Sequence, residues 1–294
     1  MKSGIKSLRY AMEAIVVYSF YYFSFAVGIR AASAIGGIIA RIIGPRLKIT
    51  NLARKNIKYA MPHLSSKEIE EIVIGMWSNL GRVAGELPHM RNLTGDKFWQ
   101  HVEVENIEHL IKLRDIDKTG IVISGHFANW ELAPKIEFEV GIPMTLIYRH
   151  ANNPWVEKLI QHSRRGMGEK LFSKGADAAR NSVRALRDGE FIGVLVDQKL
   201  NEGIEAKFFG KKAMTSSFVA EMAIRFNCPI VPIYVLRTKG VKFRVICGKP
   251  LITEGKDALN ITQEINDLLE AWIRKNPAQW LWLHRRWPKE DVGY

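Results

Sequence analysis

The chain has 294 residues, of which 47% are apolar and 25% charged, a mix too apolar for a disordered polymer and long enough to bury a core unaided. Its two cysteines, Cys228 and Cys247, cannot build a disulfide framework, and no Cys/His cluster has zinc spacing, so a disulfide-stapled fold and a zinc module are excluded. The formal net charge of +13 points to a polyanionic surface, either nucleic acid or anionic lipid.

The charge sits at the N-terminal end. Residues 1–60 hold ten basic side chains and one acidic one, Glu13, around the uncharged run AIVVYSFYYFSFAVGI at 14–29. Basic residues around a long aromatic-rich apolar stretch fit a membrane anchor better than a nucleic-acid patch. Tyr10 to Ile29 is 20 residues, enough to cross a bilayer. Seven basic residues follow it and three precede it, which places the C-terminal part in the cytoplasm. The three on the far side leave an interfacial helix open. A cleaved signal peptide is the third reading, since Ala32-Ser33-Ala34 fits a cleavage site. The division expected is an anchor or interfacial segment over 1–45 and an α/β domain over 46–294.

Ser65 and Glu68 form the outline of a capping box, and Ile69, Ile72, Val73, Met76, Trp77, Leu80 and Val83 follow at helical spacing. The runs 120–124, 144–148, 191–196 and 230–236 read as buried strands, and 241–247 alternates like a half-exposed one. Helices are predicted near 154–165, 175–188, 216–227 and 261–275, with Thr215 or Ser216 capping the third. Strands alternating with helices imply an α/β fold, a largely parallel mixed sheet flanked by helices, behind an N-terminal membrane-anchoring helix. Trp272, Trp280, Trp282 and Trp287 lie among arginines near the C-terminal end, where they suit a membrane interface or cap the core.

The segment GIVISGHFANWELA at 120–133 carries the chemistry. It places His126 at the C-terminal tip of a strand, where open α/β sheets bind ligands. Glu131, five residues on, is a candidate carboxylate to fix the imidazole tautomer, with His126 as base. No G-x-S-x-G nucleophile elbow is present, which counts against an esterase. With no glycine-rich phosphate loop and no metal constellation, neither cofactor nor metal is expected.

The block HFANWE resembles the H-x4-D/E signature of glycerolipid-type acyltransferases, in the form found in the lauroyl/myristoyl acyltransferases of lipid A biosynthesis. IYRHANNPWVEKLI (147–160), GEFIGVLVDQK (189–199), KFFGKKAMTSSFVAEMAIRFNCPIVPIYV (207–235) and NPAQWLWLHRRW (276–287) resemble further blocks of that family, in order. Ala128 stands where the family often has glycine. The resemblance implies transfer of a fatty acyl group from acyl carrier protein to a hydroxyl of a hydroxyacyl chain on a Kdo-bearing lipid A precursor. It also implies a place on the cytoplasmic face of a bacterial inner membrane, with no nucleic-acid partner.

Within that picture His126 is the base and Glu131 its orienter. The oxyanion stabiliser is Arg164, Asn129 or a backbone N–H near Gly125, with Arg164 favoured. Trp130 walls the site or packs. Arg149 binds a phosphate or forms a surface ion pair. Asp197, followed by Gln198 in the matched Asp-Gln pair, orients one of the arginines or caps a turn. Phe208, Phe209 and Gly210 line an acyl groove or anchor a buried loop.

Overall fold

The computed structural model describes residues 2–116, 118–148, 150–165, 170–173 and 176–294. Helix α1 (Lys2–Val27) ends at Gly28, whose φ of +82° breaks the helix at little steric cost because glycine has no Cβ. Helix α2 (Ile29–Ile43) leaves from it, followed by α3 (Thr50–Ala60) and α4 (Ser66–Glu86). The capping box at α4 is formed: Ser65 accepts from the Glu68 N–H, and the Glu68 carboxylate accepts from the Ser65 N–H. Backbone against backbone, α2 packs on α4. A Cβ on Gly36 would stand 2.2 Å from the Gly81 carbonyl oxygen, and one on Gly81 2.1 Å from that of Gly36. Only glycine permits so close a crossing.

After a short helix α5 (Asp96–Trp99), the chain runs through β1 (Val102–Glu105), α6 (Glu108–Asp115), β2 (Ile121–Ser124), α7 (Ala133–Glu139), β3 (Met144–Tyr148), α8 (Pro154–Arg164), β4 (Lys170–Ser173), α9 (Ala176–Arg187) and β5 (Phe191–Leu195). A hairpin β6 (Lys199–Phe208) and β7 (Lys211–Thr215) stands apart, then α10 (Phe218–Phe226), β8 (Ile230–Lys239), β9 (Lys242–Cys247), α11 (Ala258–Lys275) and a last turn α12 (Lys289–Val292) complete the fold. The seven-stranded sheet has the order β1-β9-β8-β2-β5-β3-β4. Strands β8, β2, β5, β3 and β4 are mutually parallel; β9 reverses beside β8, and β1 follows β9. This is the mixed, largely parallel α/β sheet the alternation predicts.

Strands β2 and β5 lie side by side at the centre, β2 buried throughout and β5 over Phe191 to Gly193, as uninterrupted apolar runs demand. The C-terminal tryptophans take the core option. Trp280, Trp282 and Trp287 are fully buried, and Phe208 and Phe209 pack among them in one aromatic cluster. Of the two expected caps of α10, Ser216 serves: its hydroxyl accepts from the Phe218 N–H at 3.4 Å, while Ser217 just before the helix makes no side-chain cap bond and the hydroxyl of Thr215 is held by the buried Arg286 at 2.8 Å.

Candidate active site

Strands β2 and β5 pair in parallel with Ser124 opposite Leu195. Two residues past each lies a polar side chain, His126 on one and Asp197 on the other, and equal overshoot from a shared register brings them together. Nδ1 of His126 lies 2.8 Å from Asp197 Oδ1, and the His126 backbone N–H donates to Oδ2 at 2.7 Å. Trp280 Nε1–H donates to the same Oδ2 at 2.7 Å. Asp197 is fully buried. Burial alone would raise its pKa, but the imidazole of His126 and the donors around it outweigh that and hold the carboxyl well below its usual range. In the neutral imidazole, a carboxylate facing Nδ1 favours the tautomer with the proton on Nδ1 and the lone pair on Nε2.

Asp197 therefore stands where the sequence placed Glu131. Glu131 turns instead to Arg164, which donates to both its oxygens at 2.8 and 2.6 Å, and Trp130 Nε1–H adds a third donor at 3.0 Å. Five residues of separation suggested Glu131 as the orienter of His126. The turn after Asn129, whose side chain accepts from the Glu131 N–H, aims that carboxylate across to α8. Burial works to raise the Glu131 pKa, and Arg164 outweighs it, so the carboxyl is lowered and the pair stays ionic. Arg164 is thus committed to an ion pair at the cavity wall, with its guanidinium 4.9 Å from the Tyr148 ring centre.

The loop carrying His126 is clamped by the C-terminal segment. Ala128 N–H donates to the Gln279 carbonyl at 2.9 Å and Leu281 N–H to that of His126 at 3.1 Å. Ala128 has φ +46°, the left-handed region, which explains why glycine suits this position in the sequences the block resembles. Asn129 is fully buried and donates to Glu86 at 2.8 Å, so it faces away from His126 as a structural tie rather than an oxyanion donor.

A cavity of about 340 Å³ opens at His126, within the range of small ligand pockets. Trp130, Glu131, Tyr148, Arg164 and Gln198 line it, and Val122, Met144, Leu146 and Gly193 form its sheet wall. Trp130 stands edge-on to the imidazole with ring centres 5.2 Å apart, which makes it a wall of the site. Phe208, Phe209 and Gly210 are not among the lining residues: the two rings anchor the β6–β7 hairpin in the aromatic core, and Gly210 makes its turn with φ +70°. Arg149 lies outside the described residues. Two contributions escaped the sequence reading. One is Trp280 as a donor to Asp197. The other is half-buried His284, whose ring nitrogens are both sealed from solvent beside that carboxylate and whose pKa burial pushes down to about 4 so that it stays neutral.

Fold and site together define a class: an open, largely parallel α/β protein with a carboxylate-paired histidine at the strand tips, equipped for proton transfer to or from a bound ligand. The comparison with known proteins narrows it. The family model for bacterial lipid A biosynthesis acyltransferases matches residues 1–289, and the chain belongs to that family. It is 25% identical over 260 residues to a lipid A biosynthesis palmitoleoyltransferase of Escherichia coli, covering 83% of this chain and 80% of that one. To the lauroyltransferase of the same organism it is 24% identical over 276 residues, 90% and 86% of the two chains. A phosphatidylinositol mannoside acyltransferase of Mycolicibacterium smegmatis is 24% identical over 253 residues, 84% and 81%. Among solved structures, a 1-acyl-sn-glycerophosphate acyltransferase from Thermotoga maritima matches with a TM-score of 0.41 and 14% identity over 92% of this chain and 99% of that one, too distant to bear on the site.

Proposed function

We propose that this acyltransferase moves a fatty acyl group from acyl carrier protein to a hydroxyl of a hydroxyacyl chain on a Kdo-bearing lipid A precursor, with His126 as general base and Asp197 as the residue that positions it. The contact between His126 Nδ1 and Asp197 at 2.8 Å carries the reading. It fixes the tautomer that leaves Nε2 ready to take the hydroxyl proton as the oxygen attacks the thioester carbonyl. The buried carboxylate stabilises the imidazolium so formed, and that imidazolium then protonates the departing thiolate. A base so placed contributes about 10²–10⁴-fold. The thioester is already activated, so no acyl-enzyme is required. Arg164, held at the cavity wall by Glu131, is a cation at hand for the developing oxyanion or for a phosphate of the substrate.

The membrane enters through α1. One face of this helix is tied to the domain along its length: Asn153 donates to the Tyr10 carbonyl, the Tyr18 hydroxyl to the Trp155 carbonyl and the Ser163 hydroxyl to that of Tyr21, and His89 lies 3.0 Å from the Ser24 carbonyl. Those anchors run roughly 21 Å along the helix. An upright α1 would carry α8 into the hydrocarbon with it, so these ties favour a helix lying in the interface. Its other face leaves Leu8, Ile15, Val16 and Tyr22 more than 60% exposed, and α2 continues the apolar surface with Ile38, Ile39, Ile42 and Ile43. Exposed Arg41, Arg46 and Lys48 stand beside it, suited to anionic headgroups. Helix α1 packs on α8, the helix that carries the cavity-lining Arg164, which supports delivery of a lipid acceptor from this side.

The mycobacterial relative favours a second reading, in which the acceptor is another glycolipid. Purified protein in detergent, offered acyl carrier protein or coenzyme A thioesters against a lipid A precursor or a phosphatidylinositol mannoside, separates the two by mass spectrometry of the products. Transfer from the carrier-protein thioester to the lipid A precursor is expected. Transfer to the mannoside alone overturns the acceptor, and transfer from coenzyme A alone overturns the donor.

A further inference from the structure

Helix α8 flanks the cavity at both of its ends: His150, Ala151 and Asn152 just before it and Arg164 in its last turn all line the cavity. Its outer side carries a different set. Trp155, Lys158, His162 and Arg165 follow at i, i+3, i+7 and i+10, one helical stripe, and all four are exposed. Arg91, exposed on the turn after α4, joins them with Nη1 3.4 Å from His162 Nε2. Among the described residues, none of Arg91, Lys158 and Arg165 forms an ion pair with a carboxylate. Helical arginines elsewhere do, Arg9 with Glu13 on α1 and Arg274 with Glu270 on α11. The one acid of α8, Glu157, is turned inward, where it accepts from the Tyr148 hydroxyl and the Ala151 N–H. The positive charge of the stripe is left uncompensated.

We propose that the outer stripe of α8, with Arg91, is the surface on which an acidic protein docks to deliver the acyl thioester, the carrier protein of the acyltransferase reading on which this inference rests. An uncompensated cationic surface steers and holds an acidic partner, and Trp155 adds an aromatic anchor. Placement selects a protein over lipid headgroups. Ser163 meets Tyr21 of α1 at 3.0 Å and so marks the side of α8 that faces α1. At roughly 100° per residue, Lys158, His162 and Arg165 are turned about 100–160° away from Ser163. The exposed apolar face of α1 lies on the far side of α1 from these ties, so the stripe looks away from the bilayer that face would enter. A helix is only about 10–12 Å across. A thioester on a flexible arm can therefore reach past α8 into the cavity while its carrier stays docked outside.

The test gives the full-length protein in detergent, with lipid A precursor as acceptor, the same acyl group on acyl carrier protein or on free pantetheine. Lys158→Glu combined with Arg165→Glu reverses the charge of the stripe. The KM for the carrier-protein thioester is expected to rise about tenfold or more, while its kcat and the kcat/KM for the pantetheine thioester stay within about twofold. Added salt is expected to raise the wild-type KM for the carrier-protein thioester and to leave that of the variant unmoved. Should the double variant not fold, Lys158→Ala and Arg165→Ala singly are expected to raise the same KM about threefold each. An unchanged KM in folded protein overturns the proposal, as does an equal loss on both thioesters, which marks a structural role. Lost binding to phosphatidylglycerol vesicles with an unmoved KM marks a lipid surface and overturns it too. A wild type that uses the pantetheine thioester but not the carrier-protein one overturns the donor and this surface together. A wild type that transfers from neither overturns the acyltransferase reading instead. Direct binding of holo acyl carrier protein then decides the surface: binding at least about fivefold tighter by wild type than by the charge-reversed variant supports it, and equal or absent binding overturns it.

Discussion

Replacing Asp197 by Asn tests how His126 is held. Two N–H donors, the His126 backbone and Trp280 Nε1, converge on Oδ2, while Oδ1 faces His126 Nδ1. An asparagine keeps its carbonyl oxygen where the two donors point and so turns its NH₂ toward Nδ1. That ring nitrogen must then accept a hydrogen bond, which moves the imidazole proton to Nε2 and removes the base. The same exchange in a hydrolytic triad costs about 10⁴-fold in kcat through the wrong tautomer. A loss of about 10³–10⁴-fold is therefore expected here, equivalent to roughly 4–5.5 kcal/mol of barrier. KM should stay within about threefold, because Asp197 does not line the cavity. Steady-state transfer kinetics, with thermal unfolding to establish that the variant is folded, provide the assay. A folded Asp197→Asn protein within about tenfold of wild-type kcat, alongside a much larger loss for Glu131→Gln, would refute the assignment and return the role to Glu131.

Arg164→Lys keeps a positive charge but loses the paired bonds to Glu131, and kcat/KM should fall about tenfold or more in donor titrations. Ala128→Gly relieves a left-handed backbone and should stabilise the fold by about 1 kcal/mol, visible as a rise of a few degrees in Tm. Glu137 has a pKa raised from 4.5 to about 8 in the folded state, so between those values the native protein holds a proton that the unfolded chain has lost. Its contribution to stability is complete below pH 4.5 and falls as pH rises through that window, by up to about 1.4 kcal/mol per pH unit. The difference between wild type and Glu137→Gln in urea unfolding at about pH 5 and about pH 7.5 isolates this slope. It also separates Glu137 from His284, whose depressed pKa of about 4 acts in the opposite sense.

Much of this molecule can be read from its sequence. The central strands are uninterrupted apolar runs, and each falls within a residue or two of its expected span except at the end of β8, which runs on to Lys239 as its exposed half pairs with β9. The short edge strand β1, with glutamate at alternate positions, and the polar, solvent-facing β6–β7 hairpin carry too little apolar pattern to announce themselves. His126 is legible because a strand tip is the natural place for it. Its partner is not, because Asp197 lies 71 residues away and reaches it only through the parallel register of β2 and β5. Glu131 is close in sequence, and local spacing alone favours it over a residue delivered by sheet topology. The tryptophans near the C-terminal end show the same limit. Composition left an interface and a core both open, and burial chose the core, where Trp280 also holds the Asp197 carboxylate.

The account turns on His126 as the base for acyl transfer to a lipid hydroxyl. The most direct measurement compares wild type with His126→Ala at matched levels of folded protein, using an acyl carrier protein thioester and radiolabelled Kdo-bearing lipid A precursor, with product followed by thin-layer chromatography. The account predicts product from wild type and a loss of at least about 10²-fold in the variant. Equal product from both proteins would contradict it.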